Sequence, residues 1–214
     1  MAISATPNYK ASGPDGIPIE FYKAFLPHEE NSDNNNTPIL ESSGLKCLRS
    51  LFNRIWDGEF PSSWNEASII SVPKKGDPTN CDNYRGISLI NNGIKLITKI
   101  VTTRISEYGL RNNFIRPEQF GFCNKEESVR LFISIREICQ RRQNDKQETY
   151  LVFLDLKKAY DSVPIGSIFI HHKIECLGIR GVKCYQFIKN LYLTSKANFK
   201  VDEQWGNALI PLIF

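Results

Sequence analysis

Apolar positions along the chain fall into short periodic blocks divided by turn-forming residues, and the spacing within each block predicts an element. After the turn-rich Ser12–Pro18, Phe21, Tyr22 and Phe25 share one helical face over Glu20–Leu26. Glu29–Thr37, EENSDNNNT, is polar, Asn-rich and aperiodic, which predicts an exposed flexible loop. Beyond it, Leu45, Leu48, Leu51, Phe52, Ile55 and Trp56 recur at helical spacing, and Gly58 stands where a helix-ending glycine belongs. Ala67–Pro73 is short, β-branched and closed by proline, so it predicts a strand leading into the polar turn Lys74–Asn83 and a second strand over Tyr84–Leu89.

Helical spacing returns between Asn92 and Gly109, where Ile94, Ile97, Val101, Ile105 and Tyr108 form a stripe and Lys95, Lys99 and Arg104 fall off it. A further helix is expected from Ser128, as N-cap, through Leu131, Phe132, Ile135, Ile138 and Cys139 to the polar patch Arg141–Glu148. Thr149–Leu156, TYLVFLDL, is the most strand-like run in the chain, and its near-continuous apolarity predicts burial on both faces. Pro164–Leu177 and Val182–Leu193 are expected helices separated by Gly178–Gly181, and Ala197–Gln204 is expected to start a hairpin. The apolar ending Ala208–Phe214, without cap or polar tail, has the look of a severed domain.

Composition narrows the class. A chain of 214 residues, 41% hydrophobic and 23% charged, can bury one core but hardly two full-sized ones. The 27 Lys+Arg against 23 Asp+Glu leave a net +4, too mild for a polyelectrolyte that coats nucleic acid with its whole surface. The stretch Lys74–Arg111 holds seven Lys+Arg against Asp77, Asp82 and Glu107, so the surplus is concentrated there. No apolar run approaches the ~18–20 residues that span a bilayer, and the polar start lacks the order of a secretory signal. A soluble intracellular protein, cytoplasmic or nuclear and without a membrane partner, is the expectation. Cys47, Cys81, Cys123, Cys139, Cys176 and Cys184 show no CxxC spacing, which suits small core residues better than sulfur-held metal or disulfides.

Two places could carry chemistry. Asp155 ends an apolar strand, and a carboxylate there must be solvated, paired or bound to a cation. Hard-cation binding and neutralisation by Lys157 or Lys158 are both open solutions. Asp161, in Asp161-Ser162-Val163-Pro164, is better explained as a helix cap. Lys74 and Lys75 after one strand, with Arg85 on the next, would put three cations on one β-turn-β arm able to neutralise a triphosphate. A solvated charged turn is the commoner fate of such a sequence.

The order of five blocks adds what none supplies alone. GPDGIP at 13–18, WNxAxxxxVPKKGDP at 64–78, NYRGISL at 83–89, EQFGF at 118–122 and FLDLKKAYDSV at 153–163 together resemble the reverse transcriptase domain of non-LTR, LINE-like retrotransposons. The resemblance runs from about Ser12 to Phe214. It implies an α+β right-hand polymerase, with helices packed on a small antiparallel sheet: an N-terminal extension and fingers over 1–148 and a partial palm over 149–214. By the same resemblance Asp155 is the first palm carboxylate of a two-magnesium site, with the Leu156 carbonyl as a further Mg2+ donor. Tyr160 would pack under the nucleotide sugar, and Arg85 with Lys74 or Lys75 would grip the triphosphate. Gly206 would line the nascent base pair, and Gln119–Phe122 would lie along the template. RNA template, DNA primer and dNTP are the implied partners.

Departures from the family pattern accompany these matches. Trp205 stands where the family block RQGDPLSPLLF has glutamine, Asn207 replaces its aspartate, Ala208 its first proline, and Cys123 a common arginine. The chain ends ahead of the aromatic-Ala-Asp-Asp hairpin that brings the other metal carboxylates, and no endonuclease region precedes Met1. The expectation is a decaying, truncated polymerase, inactive as this chain. The alternatives are a non-catalytic remnant that binds RNA or RNA–DNA hybrid, and an unstable fragment.

Overall fold

A computed structural model describes residues 2–27, 42–116, 118–121, 128–156, 181–193, 195–201 and 204–208. Helices α1 (Ile19–Lys23) and α2 (Ser43–Trp56) precede strands β1 (Glu66–Pro73) and β2 (Tyr84–Ile90). Then come α3 (Asn92–Arg111), α4 (Ser128–Asn144), α5 (Val182–Leu193), β3 (Lys196–Val201) and β4 (Gln204–Ala208). Two compact units divide the chain within α3: residues 1–100 with 164–214, and residues 101–163.

The first unit holds the described sheet, in the order β2-β1-β3-β4. β1 and β2 are antiparallel, with Val72 opposite Arg85 and Pro73 opposite Tyr84, as the turn between two β-branched runs implies. β3 and β4 form the expected hairpin, Phe199 facing Gly206. The sheet is nevertheless mixed and not antiparallel throughout, because β3 runs parallel to β1, pairing Glu66 with Lys196 and Ile69 with Phe199. A parallel neighbour needs a long crossover, which the chain between β2 and β3 is long enough to supply. Ala67, Ile69 and Ala197 bury themselves at this junction, with Ile90 and Phe199 packed around them.

Local chemistry explains the helix ends. Ser42 accepts the Leu45 amide at 3.2 Å and caps α2. At the other end, Gly58 takes φ 107°, its amide donates to the Ile55 carbonyl and the Glu59 amide to the Arg54 carbonyl. This pair of bonds closes a helix around a left-handed residue, the place predicted for Gly58. α2 buries Leu48 and Ile55, and Phe187 of α5 lies 5.4 Å from the Trp56 ring and 6.0 Å from that of Phe60. Lys183 reaches Asp57 at 2.5 Å across the same contact.

Several expectations require correction. α1 is only five residues long and buries Ile19 and Tyr22, while Phe21 stays half-exposed and touches the rings of Tyr22 and Phe25 edge-on. Leu96 joins the core of Ile3, Ile19, Tyr22 and Leu48 although it lies off the stripe of α3, whereas Tyr108 of that stripe is exposed. α3 is therefore covered on more than one side at its start. α4 begins at Ser128, which makes that serine a helical residue and not the cap, and its Val129, Phe132, Ile133 and Ile138 are exposed. Cys47 and Cys81 are exposed free thiols, since they sit on the solvent sides of α2 and of the turn before β2. Cys123 and Cys176 lie outside the described residues, as do the loop Glu29–Thr37, the helix expected over Pro164–Leu177, and Asp161.

The largest departure is Thr149–Leu156. These residues form no strand and are exposed, Val152 at 82% and Leu154 at 92%. Apolarity and branched side chains favour a strand only where a ladder partner completes it. The described strands all belong to the other unit, and the described part of 101–163 contains none.

Candidate active site

β1 and β2 build the cationic arm that the sequence suggests. The ladder continues past Pro73, the Lys74 amide donating to the Asn83 carbonyl at 2.6 Å. Inside the turn, the Thr79 amide and hydroxyl donate to the Asp77 carboxylate at 2.8 and 2.7 Å, and Asn83 donates to the Asp77 carbonyl. Asn80 accepts the Asp82 amide, and the Tyr84 hydroxyl donates to the Pro78 carbonyl at 2.9 Å. The Thr79 hydroxyl first, then its amide, hold the Asp77 carboxyl below its ordinary range. The turn is thus self-braced.

Strand alternation places Lys74 on the same face as Val72, and Arg85 opposite Val72 shares that face. Lys74, Lys75 and Arg85 are all exposed. The Lys74 ammonium donates to the Asp82 carbonyl at 3.0 Å, while Lys75 and Arg85 have no hydrogen bond or ion pair among the described residues. Desolvated cations without partners would be costly, but these stand in water and are free to meet an anion.

The root of the arm is held by residues that the sequence reading did not single out. Asn91, fully buried between β2 and α3, accepts the Asp15 amide at 3.2 Å and donates to the Ser63 carbonyl at 2.9 Å. Asn92 donates to the Ile17 carbonyl at 2.8 Å. Three stretches of chain, GPDGIP, Ser62–Asn65 and the β2–α3 junction, are therefore joined by two amide side chains. The only sequence signal is the Asn91-Asn92-Gly93 run after a strand. Burial lowers Lys95 and the nearby Asp15 charge opposes that shift, while burial and then Asp15 raise the Tyr22 phenol. Asn91→Ala should cost about 2–3 kcal/mol, since it leaves the Asp15 amide and the Ser63 carbonyl unpaired in a dry site. Urea unfolding with a lowered midpoint and unchanged slope would show it.

Asp155 and Leu156 belong to the other unit, both exposed in a segment that is neither helix nor strand, and Asp155 makes no hydrogen bond or ion pair among the described residues. Gly206 lies in β4 opposite Phe199. Gln119 is exposed, and its side chain donates to the Gly121 carbonyl. Tyr160, Lys157 and Lys158 lie outside the described residues, so the pairing of Asp155 with a lysine is untouched. Among the described residues no three His, Cys, Asp or Glu side chains converge on one point. One carboxylate and one carbonyl fall short of the roughly six oxygens that Mg²⁺ requires, so the described residues do not fit a magnesium centre. No described helix is long and apolar enough to cross a membrane.

Residues 72–207 match the family model described as reverse transcriptase (RNA-dependent DNA polymerase). The RNA-directed DNA polymerase from mobile element jockey of Drosophila melanogaster is 30% identical over 139 residues, 64% of this chain and 15% of that protein. The jockey polymerase of Drosophila funebris is 27% identical, covering 92% of this chain and 22% of its own length. The Pol polyprotein from the type-1 retrotransposable element R2 of Nasonia vitripennis is 26% identical over 78% of the chain and 16% of its length. The chain thus spans less than a quarter of each of these curated relatives. The matched region begins in β1, runs through the arm and Asp155 and ends in β4, and on that evidence the chain belongs to the reverse transcriptase family, in the branch of non-LTR retrotransposon polymerases.

Proposed function

We propose that this chain carries the fingers, over 1–148, and part of the palm, over 149–214, of an enzyme that copies RNA into DNA from a primer. The arm grips the incoming dNTP: Arg85 offers a planar fork to two phosphate oxygens, and Lys74 and Lys75 add point charges. Tyr160 and Gly206 bound the sugar and base, and Asp155 is the carboxylate of the catalytic centre, beside the Leu156 carbonyl. Reverse transcriptases use divalent metal ions, and a complete set of ligands would need residues beyond the described ones. The observation that supports this reading is the exposed Arg85, without a partner among the described residues, on a braced hairpin.

Binding of a fluorescent dNTP to the chain provides the test. Arg85→Ala should weaken it about 10-fold or more, the scale of a lost charge-assisted hydrogen bond. The corresponding nucleoside, lacking phosphates, should bind no better to the parent than to the variant. Equal affinity of parent and variant for the triphosphate would overturn the assignment. A second reading, an RNA-holding domain without catalysis, draws on the charge concentrated in Lys74–Arg111. It is favoured if RNA binding is steeply salt-dependent and triphosphate binding is absent.

A further inference from the structure

The segment Asn8–Lys10 is held in a form that folding alone does not explain. Tyr9 has φ 57°, in the left-handed region, where a bulky side chain costs roughly 1–2 kcal/mol. Glycine or asparagine would take the same backbone at less cost. The tip is pinned from α1 on both sides: the Tyr9 amide donates to the Glu20 carboxylate at 2.7 Å, and the Lys23 ammonium donates to Asn8 Oδ1 at 2.5 Å. Upstream, Lys99 donates to the Ala5 carbonyl at 2.9 Å and Ile3 is buried in the core. The Tyr9 amide is also the main reason that the Glu20 carboxyl lies below its ordinary range, so the clamp is set at neutral pH.

None of this restraint serves the ring. Tyr9 is 94% exposed and stacks on no described aromatic side chain, and Lys10 beside it is exposed without a partner among the described residues. A braced backbone thus presents an aromatic face and a free cation side by side in water. An unpaired base has a π-face and a flanking phosphate to match, and such stacking tolerates any base.

We propose that Tyr9 and Lys10 form a contact for single-stranded RNA, the ring stacking on an unpaired base and the ammonium meeting its phosphate. The choice of RNA rests on the polymerase reading above. Lys10 and the cations of the arm, in the same unit, favour a polyanion over an apolar protein surface.

The test is fluorescence anisotropy of a labelled single-stranded homopolymeric RNA with the parent chain and four variants, alongside the triphosphate assay. Tyr9→Ala and Tyr9→Asn should weaken RNA binding at least about 5-fold, while Tyr9→Trp keeps it. Tyr9→Asn should at the same time melt no lower than the parent, since it relieves the strained backbone; a purely structural tyrosine would not separate these two readouts. Lys10→Ala should lower the slope of log K against log salt by roughly 0.7. If Tyr9→Asn binds RNA as the parent does, or if the parent binds no RNA, the proposal fails. Unchanged RNA binding in that variant, with Arg85-dependent triphosphate binding intact, would remove the tip alone. Tyr9-dependent RNA binding in a chain that ignores triphosphate would keep the tip and overturn the polymerase.

Discussion

Gly13→Ala should lower the melting temperature by about 6–12 °C, the equivalent of roughly 3 kcal/mol in a chain of this size. Gly13 lies flat against the end of β2: a Cβ there would sit 2.5 Å from the Ile90 carbonyl carbon and closer still to the backbone nitrogen and Oδ1 of Asn91. Because most of that wall is backbone, no rotamer change can make room. The loop must lift, and with it goes the bond from the Asp15 amide to Asn91. Asn91, buried completely, then has an unpaired acceptor, which adds its desolvation penalty to the steric cost. Gly121→Ala is the matched control, since among the described residues its Cβ would meet only Gln119 Nε2 at an ordinary 3.6 Å. Coincident thermal melts of the two variants would show that the Gly13 contact does not matter.

Asp155→Asn should leave the melt unchanged and remove primer extension by at least about 10³-fold, the scale on which a lost charge-stabilising group acts in an active site. Stability is spared because the carboxylate is exposed and makes no described bond, so the isosteric amide disturbs nothing in the fold. The assay needs the chain joined to a segment bearing the aromatic-Ala-Asp-Asp hairpin that its resemblance to polymerases implies, with an annealed RNA template and DNA primer. Triphosphate binding through Arg85 should survive the substitution. Extension at the parent rate would dismiss Asp155 as the catalytic carboxylate.

These two positions also differ in how far the sequence alone reveals them. Asp155 is conspicuous as a charge at the end of TYLVFLDL, and the blocks around it carry the family. The role of Gly13 against Asn91 links residues 78 apart through backbone atoms, and no periodicity encodes such a contact. Its GPDG context announces a turn but not what the turn rests on.

What the sequence determined by itself is local. The 3.6-residue stripe of α2 and the left-handed glycine that ends it, the β1–turn–β2 arm with its cations, and the β3–β4 hairpin follow from side-chain spacing and turn chemistry acting within a few residues. The tertiary structure decided the rest. It placed β3 parallel to β1, gave Asn91 and Asn92 their backbone partners, buried Leu96 off its stripe, turned Tyr9 left-handed and left Val152 and Leu154 in water. Each of these depends on a hydrogen-bond partner or an apolar neighbour far away in the chain, and the free energy of such a contact belongs to the pair, whose meeting neither local pattern specifies.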